Sequence, residues 1–457
     1  VTREVKVSIL ASSLVQRGIC PNFVQTFGLF RSASPLPAKV FGTAEEKYPC
    51  GRSPGMVRTQ PRVSIPPGSL VSQGRLGRSK HACADSNYLR YQYIGMELCE
   101  HGDAEVFIKS QRDRLLPPEE ARGFLFQMAF ALYAGRSELS LRHFDVKLLN
   151  FFVGDASRAL GGAGGGRGEG DGVTLRYGLG QEVVELCLPR DRAFLVKLAD
   201  FGTADVDPLT VGTAVEYGHF TTLENTPIEQ LCCGRDARQG YASDTFALAL
   251  ATLHLFTGEA PYEEIMEEVE CPDDLYNALV TVWDNHPRYD DVCDIIVDAV
   301  DDDEEEEEGG GGEEEGVDDD RQDATLLHTF YRYMVLFGVP ESAVLEEAFG
   351  RDNPVWKAVG SLLGRKTSKG GRGGTSGKER RAPGAAAASK RFCRQFERDR
   401  SRFSLDRGTN KYIKRARVGL EALPGASELV KSMASFVPDS RPTMLEVMRS
   451  EVFEPLR

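Results

Sequence analysis

Two short segments constrain this chain more than any other part of it. Residues 143–150 read His-Phe-Asp-Val-Lys-Leu-Leu-Asn, and residues 200–202 read Asp-Phe-Gly. The first segment places Asp145, Lys147 and Asn150 in one loop. Phosphoryl transfer requires a carboxylate that orients the attacking hydroxyl, cations near the transferred phosphate and oxygen ligands for Mg²⁺. An aspartate, a lysine two residues later and an asparagine three residues beyond that can supply such groups from one loop, and Asp200 can supply a second carboxylate for the metal.

The order of these residues resembles the catalytic loop and the metal-binding motif of the eukaryotic protein kinase family. The resemblance implies that Asp145 accepts the proton of the attacking hydroxyl and that Lys147 stabilises the γ-phosphate of ATP. It implies that Asn150 and Asp200 hold Mg²⁺. A lysine two residues after the aspartate resembles the Ser/Thr branch of the family. The resemblance gives structural roles to the residues that flank these groups, His143, Phe201 and Gly202.

The sequence departs from the family at Phe144, where the family usually has arginine. In the family that arginine pairs with a phosphate on the activation loop, which an aromatic ring cannot do. We therefore expect activity that does not depend on phosphorylation of the activation loop.

Upstream, residues 91–100 read as a strand that runs into a polar segment. They resemble the strand and hinge that hold adenine in the family. The resemblance implies that Met96 is the gatekeeper and that the backbone groups of Glu97 and Cys99 bond the adenine edge. An ordinary buried strand that leads into a helix is the alternative reading of the same pattern.

Two strands are expected on either side of a long insertion. Residues 151–153 and 194–198 are apolar and should pair, because lengthening a flexible loop costs little free energy. In the family this pair lies under the nucleotide, so Phe152 would lie beneath the adenine.

Two helices are also predicted. Pro118 followed by two glutamates is a favourable helix start. Residues 243–257 are almost wholly apolar and end before Gly258, which indicates a buried helix. By resemblance to the family, Asp244 at the start of this helix would bond the backbone of the catalytic loop.

Downstream, residues 222–229 resemble the substrate-facing loop of the family, with Pro-Ile-Glu in place of the usual Ala-Pro-Glu. The resemblance implies that Thr222 bonds the catalytic aspartate and lysine. It implies that Glu229 pairs with Arg441. A buried pair of this kind supports the scaffold and not the chemistry.

The first residues resemble the end of the family's regulatory helix, with Glu4 as the partner of an ATP-binding lysine. Neither that lysine nor a Gly-rich phosphate loop is found in residues 1–457. The glycines at 161–166 are no substitute, because no strand precedes them and no helix follows. We therefore expect residues 1–457 by themselves to transfer phosphate slowly.

Net charge says little about the folded part. The chain has 55 basic and 69 acidic residues, but residues 301–320 alone hold fourteen of the acidic ones. Its ten cysteines are scattered without zinc-site spacing, and no secretory signal is visible. These features favour an intracellular protein, cytoplasmic or nuclear, without a membrane span.

Low-complexity composition predicts four disordered insertions, at residues 32–84, 154–192, 301–321 and 365–391. The last has nine basic residues, one acidic residue and no aromatic side chain. Nucleic acid is an unlikely partner for it, because single strands are held by aromatic stacking. Pairing with the acidic tract and binding to an anionic surface remain open.

The sequence thus predicts an α+β protein with a bilobal kinase-like fold. Residues 1–96 would form an incomplete, mostly β N-lobe, and residues 97–457 a mostly α C-lobe. The predicted function is transfer of the ATP γ-phosphoryl group to Ser/Thr hydroxyls of a protein substrate, with ATP and Mg²⁺. A kinase-like scaffold without turnover and a nucleic-acid-binding regulator are the alternatives.

Overall fold

The computed structural model describes residues 2–32, 91–156, 172–215, 225–261, 268–286, 289, 319–365 and 383–456. The protein is of the α+β type, with small antiparallel sheets and many helices. It divides into two compact units, Val1–Gln25 with Leu98–Arg457, and Thr26–Glu97. No helix in the described ranges is both long and apolar enough to cross a bilayer.

The smaller unit contains two described strands, β1 (Thr26–Ser32) and β2 (Tyr91–Met96). They pair in antiparallel fashion, and the rings of Phe30 and Tyr93 stack with centroids 5.1 Å apart. A strand that runs into a polar segment was predicted within residues 91–100, and β2 confirms the strand.

The larger unit begins with helix α1 (Arg3–Gln16). Val7, Ala11 and Leu14 recur at helical spacing and are fully buried in its core. The predicted boundary at residue 96 grouped this helix with the two strands. It belongs instead to the larger unit, because its apolar stripe packs there.

Two helices lead to the predicted catalytic loop, α2 (Ala104–Ser110) and α3 (Pro118–Leu139). The side chain of Asp103 caps α2 by accepting a hydrogen bond from the backbone N–H of Val106 at 2.8 Å. Helix α3 starts at the predicted proline, with two acidic residues in its first turn. It is buried over most of its length.

Strands β3 (Phe151–Asp155) and β6 (Phe194–Leu198) form the predicted antiparallel pair. In the sequence between β3 and β6, strands β4 (Gly172–Leu179) and β5 (Glu182–Pro189) form a separate two-stranded hairpin.

The prediction of a disordered loop over 154–192 is therefore wrong for residues 172–189. Every second side chain of β4 is buried, and Tyr177 lies against the rings of Phe126 and Phe130 of α3 at 5.2 and 4.6 Å.

Helix α4 (Ile228–Cys233) precedes α5 (Ala242–Thr257), which is the predicted apolar helix. Its side chains are buried on all sides. It ends at Gly258, which has a φ of 75°. A Cβ at this glycine would collide with the backbone oxygen of Arg114, so both the left-handed backbone and the close approach require glycine.

The remaining helices of the larger unit are α6 (Asp273–Asn285), α7 (Asp319–Phe337), α8 (Ser342–Phe349), α9 (Pro354–Leu362), α10 (Pro383–Phe403), α11 (Lys411–Glu421), α12 (Ala426–Met433) and α13 (Met444–Met448).

Two of these helices correct the predicted insertions. Residues 319–321 begin α7, and residues 383–391 belong to α10. Helix α10 forms because Phe392 and Phe396, four positions apart, pack against Tyr331 of α7. The parts of the insertions at 33–84, 157–171, 301–318 and 366–382 lie outside the described residues.

Candidate active site

Three predicted catalytic side chains meet in the loop between α3 and β3. The carboxylate of Asp145 is 5% exposed. Its Oδ2 lies 2.9 Å from Nζ of Lys147 and accepts a hydrogen bond of 2.8 Å from Nδ2 of Asn150. The same amide nitrogen donates to the backbone oxygen of Asp145 at 2.8 Å. One carboxylate is thus held by a cation and an amide from its own loop.

The backbone of this loop is held by Asp244, as predicted. Its two carboxylate oxygens accept hydrogen bonds of 2.8 Å from the backbone N–H groups of His143 and Phe144. Phe144 has a φ of 64°, which a non-glycine residue adopts only when its surroundings enforce it. Burial raises the pKa of Asp244, and the charge of His143 and the two N–H groups oppose that rise. Asp244 therefore fixes a strained turn directly before Asp145.

Asp200 is brought next to the loop by the β3–β6 pair. The backbone N–H of Ala199 donates to the backbone oxygen of Asn150 at 2.9 Å, which places Asp200 one residue beyond this contact. Asp200 has a φ of 57° and an exposed side chain, whose Oδ1 accepts a hydrogen bond from the N–H of Gly202 at 3.3 Å. Burial, and then repulsion from Asp200, raise the pKa of Glu4 on α1.

The two predicted Mg²⁺ ligands have the donor atoms that this metal requires. Asn150 uses its amide nitrogen on Asp145, which leaves its amide oxygen as an available ligand. Asp200 offers a carboxylate oxygen from an exposed side chain. Mg²⁺ prefers one or two protein oxygens together with phosphate oxygens and water. Across the described ranges, no three His, Cys, Asp or Glu side chains cluster at metal-binding distance.

His143 and Phe201 pack against each other and help to hold the loop at 143–150 next to Asp200. The ring centroids of His143 and Phe201 lie 5.5 Å apart, and that of Phe23 lies 6.3 Å from Phe201. Nε2 of His143 lies 3.0 Å from the backbone oxygen of Ala199, and the hydroxyl of Thr203 donates to the backbone oxygen of His143 at 2.8 Å. These contacts tie the loop at 143–150 to residues 199–203.

The predicted adenine-contacting residues fall into both units. In the larger unit, Phe152 packs with Val24, Cys99 and Ala199 in a small apolar cluster apart from the main core. The backbone oxygen of Cys99 accepts a hydrogen bond of 3.3 Å from Gly102. Met96 and Glu97 belong to the smaller unit, where Met96 ends β2 with a half-exposed side chain.

Two other predicted residues are in direct contact, and one cannot be placed. Glu229 on α4 forms the predicted ion pair with Arg441, and both are buried. Thr222 lies outside the described residues.

One buried cation was missed by the sequence analysis. Arg142 is fully buried immediately before the loop, with its Nη2 2.8 Å from a carboxylate oxygen of Asp205. The same nitrogen donates at 2.8 Å to the backbone oxygen of Asp207 and to the hydroxyl of Thr210. A single arginine with no characteristic spacing gives no sequence signal, although its place beside His143 was visible.

A comparison with protein families finds no match for this chain, and a search of curated proteins finds none either.

Proposed function

We propose that this chain is a Ser/Thr protein kinase of bilobal kinase-like fold, which transfers the γ-phosphoryl group of ATP to a protein hydroxyl. The observation that carries the proposal is the convergence of Lys147 and Asn150 on the carboxylate of Asp145, with Asp200 beside them. These are the groups that phosphoryl transfer needs, arranged in one place.

The carboxylate of Asp145 orients the substrate hydroxyl and accepts its proton. It is well placed to do so, because its own loop fixes one oxygen and Asp244 fixes the backbone in front of it. Lys147 lies within 2.9 Å of that oxygen, so its ammonium group is near the position of the transferred phosphate. Catalysis of this kind is mostly positioning and charge stabilisation, which a rigid loop favours.

The amide oxygen of Asn150 and the carboxylate of Asp200 are the residues proposed to hold Mg²⁺. When bound, this metal would neutralise the negative charge that develops on the transferred phosphate. The left-handed backbone at Asp200 supports this role, because such a conformation at an exposed aspartate has a cost that function can explain.

ATP is the proposed phosphoryl donor. Phe152 is half-buried against the buried side chains of Val24, Cys99 and Ala199, and we propose that the adenine ring lies on the exposed part of this cluster. It is adjacent to the metal ligands, because Ala199 immediately precedes Asp200.

A transfer assay tests the proposal. The natural full-length protein, given Mg²⁺ and ATP labelled at the γ-phosphate, should label serine or threonine in a generic protein substrate. Lys147→Met should reduce the rate by roughly 10²-fold or more, because a charge at the transferred group is lost. Lys109→Met, which removes an exposed lysine paired with Glu105 on α2, is the matched control and should leave the rate unchanged. Tight binding of Mg-ATP without transfer by the wild-type protein would favour the scaffold alternative.

A further inference from the structure

Arg142 ties the catalytic loop to the segment that follows Asp200. The backbones of Arg142 and Asp205 exchange two hydrogen bonds of 2.9 Å, in an antiparallel bridge. The guanidinium adds the contacts to the Asp205 carboxylate, to Asp207 and to Thr210. Arg142 is 0% exposed and Asp205 is buried as well, so their ion pair is largely shielded from water. A charged pair in such surroundings is costly to break from one side.

Asp205 is bound from several directions. Besides Arg142, its carboxylate contacts the guanidinium of Arg3 at 3.3 Å, and Arg3 belongs to helix α1. It also accepts hydrogen bonds from the hydroxyl of Thr210 and from the backbone N–H of Asp207 at 2.9 Å. Burial alone would raise the pKa of Asp205, but these hydrogen bonds and the two arginines together hold it below its ordinary value. The carboxylate therefore joins three parts of the molecule as an anion.

The Asp205 carboxylate can replace an activating phosphate, which Phe144 cannot bind. The segment after Asp200 must be held in one position if it is to support transfer, and a phosphate paired with an arginine is one way to hold it. Phe144 has no charge with which to bind a phosphate. Arg142 supplies a cation from the same loop, and Asp205 supplies a permanent carboxylate.

We propose that Arg142 and Asp205 are positioning residues of the active site, and that the Asp205 carboxylate holds residues 203–215 in the competent position without any phosphate. This inference rests on the proposed kinase function. It adds that the active position of residues 203–215 is set by the fold and does not require an activating modification.

The same contacts set the sign of the effect of a phosphate. The hydroxyl of Thr210 donates to Asp205 and accepts from Arg142. A phosphate on Thr210 would remove that donor, repel the Asp205 carboxylate and compete with it for Arg142, which is unfavourable for the Arg142–Asp205 pair. Negative charge at Thr210 should therefore loosen the segment and lower activity.

The test uses the natural full-length protein after phosphatase treatment, with hydrogen exchange at residues 203–215 and steady-state kinetics as the two measurements. Asp205→Asn removes the charge while preserving shape, and Asp205→Glu keeps the charge. Arg17→Ala, which breaks an exposed ion pair between the residue directly after α1 and Glu138 of α3, is the matched control.

In the phosphatase-treated wild type, the segment should remain protected and the rate should be unchanged. Asp205→Asn should accelerate exchange at residues 205–210 by about tenfold or more and lower kcat by roughly 10-fold to 100-fold, with KM for ATP little changed. Asp205→Glu should restore part of both, and Thr210→Glu should act in the same direction as Asp205→Asn.

Exchange separates the failure of this inference from the failure of the proposed function. A wild-type protein without turnover would contradict the kinase proposal. Exchange protection of residues 203–215 that is lost in Asp205→Asn would still show that the Asp205 carboxylate holds this segment. Loss of protection or of activity on phosphatase treatment would overturn the inference. An Asp205→Asn protein with wild-type exchange and wild-type kcat would overturn it as well.

Discussion

Glu229 and Arg441 lie 212 positions apart in the chain, yet their side chains form a two-pronged ion pair with nitrogen–oxygen distances of 2.8 and 2.5 Å. The guanidinium also donates to the backbone oxygens of Ser435 and Ala242, and it lies 4.8 Å from the ring centroid of Phe246 on α5. The pair thus joins α4, the start of α5 and the C-terminal region.

Removing one partner should destabilise the protein strongly. Arg441→Met leaves the Glu229 carboxylate buried without its cation and should lower the free energy of unfolding by about 3–5 kcal/mol. Urea denaturation at pH 7 measures this. Arg17→Met, which breaks an exposed pair, should cost at most about 1 kcal/mol. Similar losses for the two variants would show that the buried pair is not a scaffold element.

A buried histidine should make stability depend on acid. Burial in α5 lowers the pKa of His254 to about 4. The unfolded chain therefore binds a proton at higher pH than the folded protein does, and stability falls as the pH drops below about 6.5. This residue alone should account for a loss of about 2 kcal/mol between pH 7 and pH 5.

Thermal unfolding of His254→Asn as a function of pH tests this expectation. The variant should lose less stability than the wild type between pH 7 and pH 5. The difference between the two proteins should be constant above pH 7.5. Parallel curves over the whole range would mean that His254 does not titrate as its burial requires.

Two glycines that follow helices, Gly258 after α5 and Gly18 after α1, provide a matched pair of substitutions. Gly258 and Gly18 both follow helices and have φ values of 75° and 68°. At Gly18 a Cβ would meet no atom within 4 Å, whereas at Gly258 it would collide with the Arg114 backbone. Gly18→Ala should cost about 1–2 kcal/mol of backbone strain. Gly258→Ala should cost clearly more, as measured by chemical denaturation. Equal costs would show that the chain at Arg114 moves aside freely.

Much of the candidate site could be predicted, because phosphoryl transfer needs particular residue types at fixed spacing. The contacts of Asp244 with the loop and of Glu229 with Arg441 were implied by the resemblance to the kinase family, and both are present. The helix at Pro118 and the helix before Gly258 were also predicted, since their start and stop residues act locally.

The β4–β5 hairpin was missed for a physical reason. Leu175, Tyr177 and Leu179 alternate as a half-buried strand should, but the neighbouring glycine run dominated the composition of the insertion. The aromatic rings that stabilise the hairpin are in α3, far away in the sequence. Local composition cannot report a partner at that distance.

The Arg142–Asp205 contact was missed for a related reason. Neither residue belongs to a spaced motif, and an arginine is ordinarily exposed. Only the antiparallel bridge between their backbones brings the two side chains together. Whether a charged side chain is buried depends on tertiary contacts, and a local sequence pattern does not reveal them.

The measurement that tests the central claim most directly compares Asp145→Asn with Asp200→Asn in the natural full-length protein. Calorimetry gives the Kd for Mg-ATP, and single-turnover transfer gives the rate. Asp145→Asn should bind Mg-ATP as the wild type does and transfer roughly 10²-fold more slowly or worse, because in the proposed function Asp145 orients the hydroxyl and does not hold the nucleotide. Asp200→Asn should weaken binding of Mg-ATP as well, because it removes a proposed ligand of the metal. Asp191→Asn, an exposed carboxylate far from the loop in sequence, should change neither quantity. Wild-type transfer rates in both Asp145→Asn and Asp200→Asn would contradict the account.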